Sequence, residues 1–155
     1  MNGKAEIDRQ RKRLDATFER ASKTGTDPEL SSDLARYLCV LVAGFLEQAV
    51  IEIALEHVRK HSHISIQRHV ENRLRRFTSA NTQNVIDLLG SFDPDWKIDL
   101  EAYLVDEHKD AVNSVVNLRH TIAHGRYTGT TLAGVQNYYK LVKRVVQHCA
   151  DLCVP

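Results

Sequence analysis

One stretch constrains the fold of this chain more than any other. Residues 37–55 are apolar nearly all round, and no proline interrupts them. A helix of that kind has no solvent face and belongs in the middle of a bundle, with neighbours on most sides. Asp27-Pro28 ahead of it supplies an N-cap and a first-turn proline, opening a helix expected to run to about Lys60. The longest uninterrupted apolar run, residues 37–46, stops at Glu47 and is too short to span a bilayer. The segment is therefore expected to be the core of a soluble domain with no membrane partner.

The rest of the chain also points to helices. Three prolines and seven glycines punctuate 155 residues, and no alternating strand pattern appears. A charged amphipathic segment occupies about 4–23 and is broken by Thr24-Gly25-Thr26. The core follows, from about 28 to 153. After the long helix comes a basic stretch, about 65–77. Asn81 or Thr82 caps a short helix ending near Leu89-Gly90. Residues 91–94 form a turn, and Trp96 anchors the next short segment. A helix over about 106–124 stops at Gly125, a loop covers 126–130, and the last helix starts near Thr131. Its apolar stripe is Leu132, Val135, Tyr138, Tyr139, Val142, Val145, Val146 and Cys149. The expectation is an all-α bundle of about five or six helices forming a single domain over 1–155.

A formal net charge of +1 excludes a strongly basic whole-protein field, so any nucleic-acid site has to be a local patch. Three cysteines, Cys39, Cys149 and Cys153, form an odd set with no CxxC pair, which fits a reduced cytoplasmic protein. The polar N-terminus has no signal-peptide core.

Chemistry concentrates in Asn117-Leu118-Arg119-His120-Thr121-Ile122-Ala123-His124-Gly125. Arginine stays charged at any workable pH and clamps phosphates, and histidine exchanges protons near neutrality. On an ideal helix Val112, Val115, Val116, Ile122 and Ala123 lie within about 60° of Arg119, so the guanidinium rises from the apolar stripe. His120 and His124 fall on the stripe's edge, beside Asn113 and Asn117. A charge rooted in apolar surroundings needs a partner. Glu47 has the complementary oddity, sharing a side of its helix with Val40, Ala43, Ile51 and Ala54. We expect Glu47 and Arg119 to meet, the carboxylate aiming the guanidinium. The alternative is that Glu47 accepts from a buried backbone or hydroxyl donor.

The nine-residue run, with Gly44-Phe45-Leu46-Glu47 in the central helix, resembles the HEPN superfamily and looks most like its RiboL-PSP branch. The HEPN signature is an arginine, a polar residue, a short spacer and a histidine, matched here by Arg119, His120 and His124. Thr131-Leu132-x-x-Val135-x-x-Tyr138-Tyr139 and residues 81–96, with their Leu88-Leu89-Gly90-Ser91-Phe92 turn, are also similar. Likeness extends from about Leu34 onward. One departure is His120, where this branch more often carries asparagine; histidine occurs there in other HEPN ribonucleases.

The resemblance implies a small helical domain that dimerises, bringing two Arg-His motifs around one cleft, and a metal-independent endoribonuclease of toxin or defence type. It implies Arg119, His120 and His124 as catalytic residues; Glu47, Asn113 and Asn117 are expected to support them from their places on the two helices. RNA supplies its own 2′-hydroxyl nucleophile, His124 serves as general base or acid, and Arg119 stabilises the growing phosphorane charge. The expected products are a 2′,3′-cyclic phosphate and a 5′-hydroxyl. A cognate antitoxin or defence partner is a further implied partner. The alternatives are an inactive HEPN module that binds RNA, nucleotide or a partner protein, and a helical dimer with a purely structural role.

Other features weigh less. Residues 57–76 hold six Lys/Arg against Glu71 alone. Arg68, Arg73, Arg75 and Arg76 are candidate RNA-backbone contacts; the alternative is a solvated face or a contact for the acidic segment 87–110. His57, His61, His63 and His69 have no ligand-spaced cysteine or carboxylate set and are read as surface residues rather than a metal site. Cys149, Cys153, Tyr138 and Tyr139 are read as packing residues. No phosphate-cradling glycine loop and no Ser-His-Asp pattern occurs, so no cofactor is expected.

Overall fold

The long apolar helix does lie at the centre. A computed structural model describes residues 2–25, 27–126 and 128–155. Among these are seven helices and no strand: α1 (Gly3–Ser22), α2 (Pro28–His61), α3 (Ile64–Leu74), α4 (Thr82–Gly90), α5 (Pro94–Tyr103), α6 (Asp106–Ala123) and α7 (Leu132–Cys153). Thr26 of the expected 24–26 break and Tyr127 of the expected loop lie outside the described residues.

The capping side chains explain where helices begin. Asp27 accepts from the Glu29 N–H at 3.0 Å with Pro28 in the first turn, and Thr131 accepts from the Gly134 N–H at 3.1 Å. Of the two candidates for α4, Asn81 is the cap, accepting from the Asn84 N–H at 2.8 Å. Asp93 caps α5 through the Asp95 N–H at 2.8 Å, so Pro94 opens a helix instead of closing a turn.

α1, α6 and α7 pack around α2, and α3 lies along its C-terminal part. Leu38, Leu46, Ile53, Val42 and Val50 on α2 are fully buried, with Val112 and Val115 of α6 and Val135 and Val142 of α7. The most apolar 18-residue window of α2 suits a membrane span by length and composition, but 67% of it is buried against its neighbours, the situation of a bundle's core helix. Cys39, Cys149 and Cys153 are buried and unpaired, and burial pushes the Cys39 thiol up to about 11 and the Cys153 thiol up to about 12. Tyr139 is buried, stacked on Phe18 with centroids 4.5 Å apart, and donates to Asp15 at 2.6 Å.

α4 and α5 form a corner against the bundle. Gly90 is required there: a Cβ on it would stand 2.8 Å from the Lys97 Cβ. His148 of α7 meets Asp99 at 2.5 Å and stacks on Tyr103 with centroids 3.6 Å apart, fixing α5 to α7.

Two expectations need correction. The count of five or six helices omits α3, which forms within the basic stretch. Ile66, Val70 and Leu74 do recur at four-residue spacing, but only Leu74 is buried, with Val70 packed partly against the core. His57 is not a surface histidine. It wedges against Trp96 and Phe92, centroids 4.7 and 5.4 Å away, and its Nδ1 is buried without a partner.

Candidate functional site

α6 carries the motif, and its end is built by a complete Schellman turn. Gly125 takes φ +71, its N–H bonds to the Ile122 carbonyl at 2.9 Å, and the Arg126 N–H bonds to the Thr121 carbonyl at 3.2 Å. The expected glycine stop is therefore present, and it leaves His124 as the C-cap residue instead of a residue of the helix interior.

The apolar stripe of α6 buries Val112, Val115 and Val116, then leaves the core. Ile122 is half-buried and Ala123 is exposed. Arg119 stands where the stripe emerges. Its Nη1 donates to the Glu47 Oε2 at 2.9 Å, so the expected pair forms across α2 and α6. Glu47 is nearly buried, at 12% side-chain exposure, and Arg119 is 40% exposed. A carboxylate that has lost most of its water thus holds one edge of a guanidinium whose remaining donors are free for another anion.

Beside the pair lies a hollow of about 250 Å³, lined by Glu47, Arg119, His120, Ala43, Val116 and Ala123, and by Thr78, Ser79 and Ala80. His120 and His124 are both exposed, and their rings meet edge to face with centroids 4.5 Å apart. Arg119 and His120 thus share the cleft, and His124 adjoins it through His120. Asn117 is exposed on the same turn. Asn113 is turned to another task, its Oδ1 accepting from the Thr82 N–H at 3.0 Å and tying α6 to the start of α4.

The segment 78–80 was not visible as part of a site. Its signal in the sequence is slight, a polar break before the Asn81 cap, and only the fold carries it to α6. Ser79 adopts φ +55.

The four arginines near α3 are all exposed, and among the described residues none forms a salt bridge. Arg75 lines a second hollow that shares Glu47 and Thr78 with the first. That hollow also contains Glu52 and Glu71, so its three carboxylates outweigh one guanidinium. Arg68, Arg73 and Arg76 do not line that hollow. Among the described residues, no group of three or more His, Cys, Asp or Glu is arranged to hold a metal ion.

A family model described as RiboL-PSP-HEPN matches residues 5–154. The chain belongs to the RiboL-PSP-HEPN family. No curated protein and no solved structure matches it. HEPN domains are often ribonucleases, so membership makes an RNA-directed function the coarse reading of this cleft. Of the three residues that resemble the HEPN signature, Arg119 is the one bonded to Glu47 of the central helix.

Proposed function

We propose that this HEPN domain is a metal-independent endoribonuclease of toxin or defence type, working in the cytoplasm as a homodimer. The observation that carries the reading is Arg119, held at 2.9 Å by Glu47, sharing a cleft with His120 while the His124 ring rests on His120. That set suffices for transesterification of RNA. One imidazole takes the proton of the ribose 2′-hydroxyl, whose oxygen forms a bond to the adjacent phosphorus. The P–O5′ bond breaks, and the other imidazole delivers a proton to the leaving 5′-oxygen. Arg119 stabilises the extra charge on the non-bridging oxygens in between. Because the nucleophile is internal to the RNA and the charge is met by a guanidinium, the scheme calls for no metal. Arg68, Arg73 and Arg76 extend contact along the RNA backbone.

Support for the dimer comes from the other side of Arg119. It also borders a largely apolar groove of about 500 Å³ between α1 and α2, lined by Leu14, Tyr37, Leu41, Gly44 and Phe45. Tyr37 is 56% exposed. A Cβ added to Gly44 would meet nothing within 4 Å. Glycine inside a helix costs about 1 kcal/mol relative to alanine, and among the described residues no atom needs the space. A second copy seated on this groove accounts for both features and brings a second motif towards the first. Replacing Tyr37 with glutamate is expected to produce monomers by light scattering and to depress cleavage with them. A Tyr37→Glu protein that remains dimeric would remove this face from consideration.

The deciding experiment is incubation of defined RNAs in EDTA with wild type and His124→Ala. Wild type is expected to leave 2′,3′-cyclic phosphate and 5′-hydroxyl ends, identified by mass spectrometry, and His124→Ala to leave the RNA intact. Binding without cleavage by wild type would instead indicate an inactive module.

A further inference from the structure

The cleft has a wall that the α6 motif does not supply, and its backbone is strained. Ser79 sits at φ +55, in the left-handed region that residues with a Cβ seldom occupy. Such a conformation persists only where its surroundings over-determine it, and it concentrates at functional sites. The surroundings here are explicit. The Ser79 carbonyl accepts from the Asn81 N–H at 2.7 Å and from the Asn84 Nδ2 at 2.7 Å. Asn81 in turn caps α4, and the Thr82 N–H is held by Asn113 of α6 at 3.0 Å. Three asparagines thus connect the strained residue to the helix that carries Arg119 and His120.

Thr78 and Ser79 are exposed, and among the described residues neither hydroxyl has a partner within the chain. Glycine would take this backbone at no steric cost. Ser79 thus combines a backbone conformation held by the asparagines with an unbonded hydroxyl on a cleft shared with Arg119 and His120. The cleft, at about 250 Å³, falls below the range of ordinary ligand pockets, about 300–1,000 Å³. It suits one phosphate with part of its ribose.

We infer that Ser79 contacts the scissile phosphate, its hydroxyl donating to a non-bridging oxygen beside Arg119, and that Asn113 is a positioning residue acting through the start of α4. The inference rests on the ribonuclease reading of the cleft. It also gives Asn113 a role different from direct contact with RNA, since its side-chain oxygen is already engaged.

The test uses the full chain, with initial rates on one defined RNA in EDTA, melting temperatures, and His124→Ala as the reference. Ser79→Gly removes both hydroxyl and strain. Its Tm is expected to be unchanged or higher, while kcat falls roughly 10- to 100-fold, the range for losing one hydrogen bond to a charged group. Ser79→Ala keeps the strain and is expected to lose kcat to a similar extent, with no shift in the pH profile. Asn113→Ala is expected to lower kcat as well. Combined with Ser79→Gly, it should cost little beyond Ser79→Gly alone, because the two act on one contact. If His124→Ala is inactive while both Ser79 variants cut at the wild-type rate, the inference is overturned and the ribonuclease reading survives. If wild type and His124→Ala behave alike, the reading of the cleft fails and the inference falls with it.

Discussion

Two histidine pairs with the same four-residue spacing lie at the C-terminal ends of two helices, and their surroundings separate them. His57 and His61 end α2, with ring centroids 4.5 Å apart; His120 and His124 end α6, also 4.5 Å apart. His57 of the first pair leans on Trp96 and Phe92 of the α4–α5 corner, its Nδ1 buried and without a partner among the described residues, while His61 is exposed. Burial pushes the His57 pKa down, His61 beside it adds to the effect, and Asp93 opposes it. The second pair is exposed beside a guanidinium aimed by a carboxylate. Equal spacing therefore yields a wedge that favours the neutral ring in one place and two solvent-exposed imidazoles in the other.

The sharpest way to break this contrast is to remove a histidine from each pair. Losing His120 or His124 to alanine is expected to cost about 10²–10⁴-fold in cleavage, the usual worth of general acid–base catalysis. His57→Phe keeps the aromatic wedge and is expected to cut RNA at the wild-type rate. Equal losses at both pairs, read as initial rates, would mean that environment does not distinguish them.

A middle-sized effect is expected at the partner of the motif. Glu47→Ala leaves Arg119 without its carboxylate. We expect a loss of roughly 1–3 kcal/mol in denaturant unfolding, less than the 3–5 typical of fully buried pairs because Arg119 is partly solvated. Cleavage falls as well, since the guanidinium is no longer aimed. No counterpart exists in the His57 pair, where breaking a contact should alter stability alone.

The smallest effect is a dependence of stability on pH. A lowered His57 pKa means that the unfolded chain binds this proton more tightly than the folded one. The stability contribution is complete above the ordinary imidazole value of 6.5 and is lost as pH falls from there through the lowered value. The melting temperature of wild type should thus decline more between pH 7 and pH 5 than that of His57→Phe. Parallel declines would show that the wedge does not titrate in this way.

Much of the motif was legible because its residues broke a pattern. Arg119 and Glu47 each stood on an apolar face, and two isolated charges in one core have few ways to be satisfied other than by meeting. Asp27-Pro28, Thr131 and Gly125 were legible because caps act within a few residues of themselves. The rest depended on contacts between distant segments. The stripe of α3, Ile66, Val70 and Leu74, is short and set among arginines, and the helix owes its place to α2. Asn113 read as a neighbour of the histidines until Thr82, 31 residues earlier in the chain, claimed its oxygen. The strain at Ser79 has no local sequence signal, because serine is ordinary everywhere except at the φ this site imposes.

His124 occupies the cap of α6, the residue at which the regular hydrogen-bond ladder ends. Helix ends open at far lower free energy than cores do. On the ribonuclease reading, a proton carrier therefore sits on the part of α6 that loosens first, while Arg119 stays fastened to the central helix one turn earlier. Warming would uncouple the two before the bundle melts. Activity and global stability would then have separate thermal limits, set by a single glycine turn at Gly125.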